Sequence, residues 1–119
     1  MFGEEKFEDE TMQKCWLILG KIYYNYWVTD FLEPVTADMF GEELFEDYCR
    51  IVTEPMDIST MINKMKSGAY GGDKELFKRD MMLIFDNCRE FNQAGTEIVA
   101  CANALTLEFH KLWVEYGLN

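Results

Sequence analysis

The sequence predicts an all-α domain, a bundle of four helices with one long connection. Three observations carry this. Four segments have apolar residues recurring three and four apart, most of the turns between them are short, and no segment alternates with period two for long enough to make a strand. The 119 residues suffice for one core and are too few for two. With 49% apolar and 15% aromatic residues, a disordered chain is excluded.

The first helix is expected from Met12 to Tyr26, where Met12, Cys15, Trp16, Leu19, Ile22, Tyr23 and Tyr26 fall on one face and Trp27 on the final turn. Pro55 in "EPMD" closes the preceding segment, and Asp57 is placed to cap a second helix that buries Ile58, Met61, Ile62 and Met65 before Ser67-Gly68 ends it. In "YGGD", Asp73 can cap a third, with Phe77, Met81, Ile84, Phe85, Cys88 and Phe91 on one face. A fourth starts near Thr96 and carries Ile98, Val99, Cys101, Ala102, Leu105, Phe109, Leu112, Trp113 and Tyr116. The bundle is bounded at residues 10–116, with residues 1–9 as an acidic N-terminal extension.

Some 25 residues, Thr29 to Glu54, separate the first two helices, well above the 2 to 8 usual in bundles. This loop is rich in apolar residues, among them Phe31, Val35, Phe40, Phe45 and Tyr48, so it is expected to fold back over the bundle and wall a pocket. A short helix around Glu42 to Tyr48 is expected within it.

Twenty-two acids against eleven Lys plus Arg give a net charge of −11, which repels phosphate backbones and anionic membranes and suits a basic partner. Acidity that only keeps the domain soluble is the alternative. No apolar run approaches the ~20 residues of a membrane helix. The acidic start "MFGEEKFEDE" is unlike a secretory signal, from which an intracellular location is expected. Cys15, Cys49, Cys88 and Cys101 form no C-x-x-C pair and read as reduced thiols, neither disulfides nor metal ligands.

The best calcium-loop candidate, Asp86 to Glu97, puts Phe91 at the sixth position, where the turn requires Gly. The only histidine, His110, has Leu107 three residues before it and Glu108 two before, so no Glu-x-x-His pair exists for a di-metal bundle. No Ser-His-Asp set and no Gly-rich phosphate loop occurs. No catalytic residue, metal or cofactor is expected, and a binding pocket remains.

"FLEPV", then "DYCRIVTEPMDISTMINKM", then "FKRDMMLIFDNCREFNQ" resemble the bromodomain pattern in order and spacing, over about Glu10 to Tyr116. The resemblance implies a left-handed four-helix bundle whose first and third interhelical loops frame an acetyl-lysine pocket. It implies that the Asn92 amide donates to the acetyl carbonyl and that Tyr48 reaches the same oxygen through a water. Val35, after Pro34, would line the channel. Phe31 would pack on the acetyl methyl, Ile98 would guard the mouth, and Phe91 stands where many members have Tyr. Asp30, Leu44 and Glu97 are expected at the rim. On its own, "REFNQAG" reads equally as a helix end that Asn92 merely caps.

One departure concerns the shelf, where many bromodomains carry Trp-Pro-Phe and this chain has Thr29-Asp30-Phe31. Either Trp27 swings in, or the channel is more open and more acidic on that side; the open channel is expected. Asp38, Glu42, Glu43, Glu46 and Asp47 add negative charge between Val35 and Tyr48. The resemblance thus implies a non-catalytic reader of acetylated lysine peptides, chiefly histone tails, acting as a monomeric domain of a larger nuclear chromatin protein with no direct contact to nucleic acid or membrane. A degenerate bundle serving as a protein-protein scaffold is the alternative.

Overall fold

The computed structural model describes residues 2, 3 and 5–119. Among the described residues there are helices and no strands: α1 (Glu10–Tyr23), α2 (Ala37–Phe40), α3 (Glu42–Ile51), α4 (Ile58–Ser67), α5 (Lys74–Phe91) and α6 (Glu97–Glu115), with a 3-10 turn at Thr29–Phe31. The four long apolar helices α1, α4, α5 and α6 make the bundle. The sequence's long loop holds the 3-10 turn, α2 and α3.

Helices α4, α5 and α6 start at the expected Asp57, Asp73 and Thr96, α1 starts two residues before the expected Met12 behind Asp9, and three of the four caps close a side-chain hydrogen bond. Asp9 accepts from the Met12 amide at 2.9 Å, Asp57 from Thr60 at 3.0 Å and Asp73 from Glu75 at 2.9 Å, each satisfying an otherwise orphaned N–H. At α6, Thr96 holds the N-cap position while its hydroxyl donates to the Gln93 carbonyl at 2.8 Å, bracing the turn after α5. The α4 helix ends at Gly68, whose φ of 76° is open to glycine at little cost.

The first helix ends three residues earlier than its apolar spacing suggests. After Tyr23 the chain turns, and the Asn25 side chain accepts from the Trp27 amide at 2.9 Å, a local bond that competes with helix continuation. Tyr26 is consequently 83% exposed and Trp27 lies beyond the helix, 44% exposed, with the two rings edge to face at 4.8 Å.

The core is the inner face of the four helices. Trp16, Leu19 and Ile22 of α1, Met61 of α4, Phe77, Met81 and Phe85 of α5, and Leu105 and Phe109 of α6 are all fully buried within it. Among the described residues three polar side chains are buried, Asp57, Asn87 and, most deeply, Asp80. Asp80, 1% exposed, accepts from the Tyr70 hydroxyl at 2.7 Å and from the Lys64 ammonium at 2.6 Å, tying α4 to α5 and to the turn between them. Burial, then the bond to Asp80, raises the Tyr70 pKa well above its ordinary value and keeps the phenol a donor.

Of the acidic extension, Met1 and Glu4 lie outside the described residues, and Phe2 and Phe7 pack on the bundle while Gly3, Lys6, Glu8 and Asp9 are exposed. Phe2 is buried against Trp16, and its carbonyl accepts from the Trp16 indole at 3.0 Å. A Cβ at Gly20 would sit 2.9 Å from the Phe2 ring, so that close approach needs glycine. Cys15, Cys88 and Cys101 are buried, Cys49 is exposed, and all four are free thiols. Burial pushes the Cys15 thiol up to about 12. Among the described residues no helix is long and apolar enough to cross a membrane.

Candidate functional site

Where the C-terminal end of α5 meets the start of α6, the long loop folds over and leaves a cavity of about 580 Å³ including its open mouth. Its floor comes from the bundle: Ile84 and Cys88 of α5 and Ile98 of α6. Its walls come from the loop: Asp30, Phe31, Glu33, Val35, Phe40, Tyr48, Met56 and Asp57. Phe91 and Asn92, the last turn of α5 and its cap, complete the lining together with Asn87.

Asn92 is both a cap and a lining residue. Its backbone N–H donates to the Cys88 carbonyl at 3.0 Å, and its side-chain amide donates to the same oxygen at 3.0 Å. The same nitrogen also lies 3.8 Å from the Cys88 sulfur, a weak acceptor that a carbonyl oxygen can replace as partner of the second N–H. The extended backbone at Asn92, φ −101° and ψ 150°, turns the chain out of α5 into the third connection. Ile98 is drawn to the same place because its carbonyl accepts from the Cys88 thiol at 3.6 Å. Burial raises the Cys88 pKa, which the Asn92 contact partly opposes, so the thiol stays a donor.

Opposite stands an aromatic wall. Phe91 meets Tyr48 edge to face at 5.1 Å and lies nearly parallel to Phe40 at 6.1 Å, pinning α2 and α3 to α5. Burial raises the pKa of the Tyr48 phenol, followed by the nearby Cys49, Cys88 and Asp57, so it stays protonated. Phe31 is buried edge to face on Phe85 at 6.0 Å, which seats the 3-10 turn on the core.

The sequence expectations divide as follows. Asn92, Tyr48, Val35, Phe31, Ile98, Phe91 and Asp30 are brought to one cavity; Pro34, Leu44 and Glu97 do not line it. Pro34 is exposed beside Val35. Leu44 sits one position off the α3 face that carries Phe45 and Tyr48, about 100° round the helix, and lines a separate acidic groove with Glu42, Glu43 and Asp47. Glu97 is exposed on the first turn of α6, where only its neighbour Ile98 faces inward. Trp27 does not swing in, and that side is lined by the carboxylates Asp30 and Glu33.

Sequence reasoning missed Glu33, Phe40, Met56, Asp57, Ile84, Asn87 and Cys88 as lining residues. The Asn87 amide donates to the Glu54 carbonyl at 2.8 Å, holding the "EPMD" turn against α5. A polar residue one step from Cys88 on a face otherwise reserved for packing was the available signal. The loop acids are less free than their sequence suggests, since Arg50 pairs with Asp47 and Arg79 with Glu54.

The bromodomain family model matches residues 18–104. The chain belongs to the bromodomain family. It is 38% identical over 105 residues to the zebrafish (Danio rerio) tyrosine-protein kinase BAZ1B, covering 88% of this chain and 6% of that protein. Over 102 residues it is 32% identical to the mouse bromodomain adjacent to zinc finger domain protein 2A, covering 86% of this chain and 5% of that one. Over 112 residues it is 27% identical to the Arabidopsis thaliana transcription factor GTE1, covering 94% and 28%. This bromodomain therefore corresponds to a small part of each of these relatives. The family consists of acetyl-lysine reader modules of chromatin proteins, generally non-catalytic.

Proposed function

We propose that this bromodomain binds acetylated lysine on basic, histone-type tails, without catalysis, as a monomeric module of a larger nuclear chromatin protein. The observation that carries the reading is Asn92: an amide held by the Cys88 carbonyl, with only a weak second contact to the Cys88 sulfur, at the edge of a cavity lined by Phe31, Val35, Tyr48, Phe91 and Ile98. In this reading Asn92 donates to the acetyl carbonyl and Tyr48 reaches it through a water. Val35 and Phe31 take the methyl and Ile98 covers the mouth.

Acetylation replaces a strongly hydrated ammonium by a neutral amide with a methyl. Such a group can enter an apolar slot, whereas an uncompensated ammonium would lose several kcal/mol of hydration there. The acetyl oxygen still needs a donor, and a neutral, directional amide supplies one. The chain's net charge of −11 favours basic tails and acts mainly on the association rate, fading with salt.

The Asp30 wall motivates the competing scaffold reading, in which the bundle binds protein without regard to the mark. An array of histone peptides, acetylated and unmodified in pairs, separates the two. Signal confined to acetylated members is expected; equal signal on both members of each pair would support the scaffold.

A further inference from the structure

The carboxylates around the cavity differ in whether their oxygens are already engaged. Asp57 is buried and spent on its helix: one oxygen accepts from the Thr60 amide at 3.0 Å and from the Ser59 hydroxyl, the other from the Thr60 hydroxyl at 2.6 Å. Asp30 and Glu33 line the same cavity and are exposed, and among the described residues neither has an ion-pair or hydrogen-bond partner. Cations on neighbouring elements are directed to other acids. Lys66 shares a side groove with Glu33 but reaches Glu5 at 4.0 Å. Arg89 binds Asp86 at 2.8 Å and the α6 side chains Asn103 and Thr106. Arg50 and Arg79 are paired with Asp47 and Glu54.

Two uncompensated carboxylates, three residues apart on the turn that carries Phe31, therefore form one wall of a pocket whose remaining lining is largely apolar. A ligand seated against Phe31 partly desolvates them. A cation arriving with the ligand would offset that cost, and a neutral neighbour would not. Acetylating the neighbour removes the cation and adds bulk on the same side.

We propose that the Asp30–Glu33 wall makes this pocket select an acetyl-lysine that has an unmodified lysine or arginine as a close neighbour in sequence, so that singly acetylated basic tails bind better than multiply acetylated ones. This rests on the acetyl-lysine reading above and names the class of peptide that the site takes. An extended peptide advances about 3.3 to 3.6 Å per residue, which puts a side chain one or two positions away within reach of the wall.

The test is a titration, by isothermal calorimetry, of matched short peptides with one central acetyl-lysine in a Gly/Ser background. The flanking positions carry lysine, acetyl-lysine or glutamine, and an unacetylated peptide serves as control. The lysine-flanked peptide is expected to bind about 3- to 10-fold tighter than either neutral-flanked one, the size of two partly exposed ion pairs. In the Asp30→Asn/Glu33→Gln variant, shown folded by circular dichroism, that ratio is expected to fall to about 1. A ratio near 1 in the unmodified protein, or one that survives in the variant, would overturn the selection while leaving acetyl-lysine reading intact. Binding no stronger to any acetylated peptide than to the control would overturn both.

Discussion

The bundle and the long loop are built on opposite terms. In the bundle, α1, α4, α5 and α6 each bury a full apolar face, and the most deeply buried carboxylate, Asp80, is engaged by Tyr70, Lys64 and Arg79. In the loop, α2 and α3 bury no residue completely, and the segment is anchored by Phe31, Val52 and the rings of Phe40 and Tyr48 against Phe91. The candidate site lies on the seam between them. A rigid floor positions Asn92 and Ile98, while a lightly anchored wall can adjust to a peptide.

This contrast implies that substitutions in the two regions should separate stability from binding. The largest effect is expected in the core. Phe85→Ala removes a fully buried ring that also supports Phe31, and should cost about 3 to 5 kcal/mol in urea unfolding. A cost below 1 kcal/mol would show that the bundle is not the rigid partner. Next is Asp57→Ala, which loses the α4 cap and should cost about 0.5 to 2 kcal/mol.

The pH dependence sharpens the same point. The Cys15 pKa is raised in the folded state, so folding favours the neutral thiol. That contribution is complete below pH 9.0 and is lost as pH rises toward about 12. Stability should therefore decline over that alkaline range, and the decline should be shallower in Cys15→Ala when unfolding is followed at a series of pH values. The smallest stability effect should come from the loop: Phe40→Ala, at a partly exposed ring, is expected to cost under about 1 kcal/mol in unfolding yet weaken acetyl-peptide binding severalfold. Equal losses of stability and affinity across these variants would erase the distinction between floor and wall.

Much of this was legible in the sequence because its rules are local. The starts of α4 and α5 follow from the Asp57 and Asp73 caps and those of α1 and α6 from apolar spacing, which places α1 two residues late because its Asp9 cap precedes the first apolar position. The end of α1 was misjudged because Tyr26 fits the helical period while the bond from the Trp27 amide to the Asn25 side chain decides the turn. The cavity residues of the motif, from Phe31 to Ile98, were located through the family pattern, since nothing in their spacing alone distinguishes a pocket wall from a core. What stayed illegible depends on contacts between distant segments: Asn87 with Glu54, Phe40 with Phe91, Phe2 over Gly20 and the Tyr70–Asp80–Lys64 knot. The rim suffered for the same reason, because whether Leu44 or Glu97 faces the cavity turns on a single step round a helix.

The central claim is that Asn92 acts as a ligand donor as well as a helix cap, and one titration tests it most directly. Acetylated and unmodified copies of one basic peptide are titrated into the unmodified protein and into Asn92→Ala, with urea unfolding recorded for both proteins. Loss of the donor leaves the acetyl oxygen unpaired and should weaken acetyl-peptide binding by about 1 to 3 kcal/mol, roughly 5- to 150-fold, in a protein that still folds. Undiminished acetyl-peptide affinity in a folded Asn92→Ala protein would contradict it.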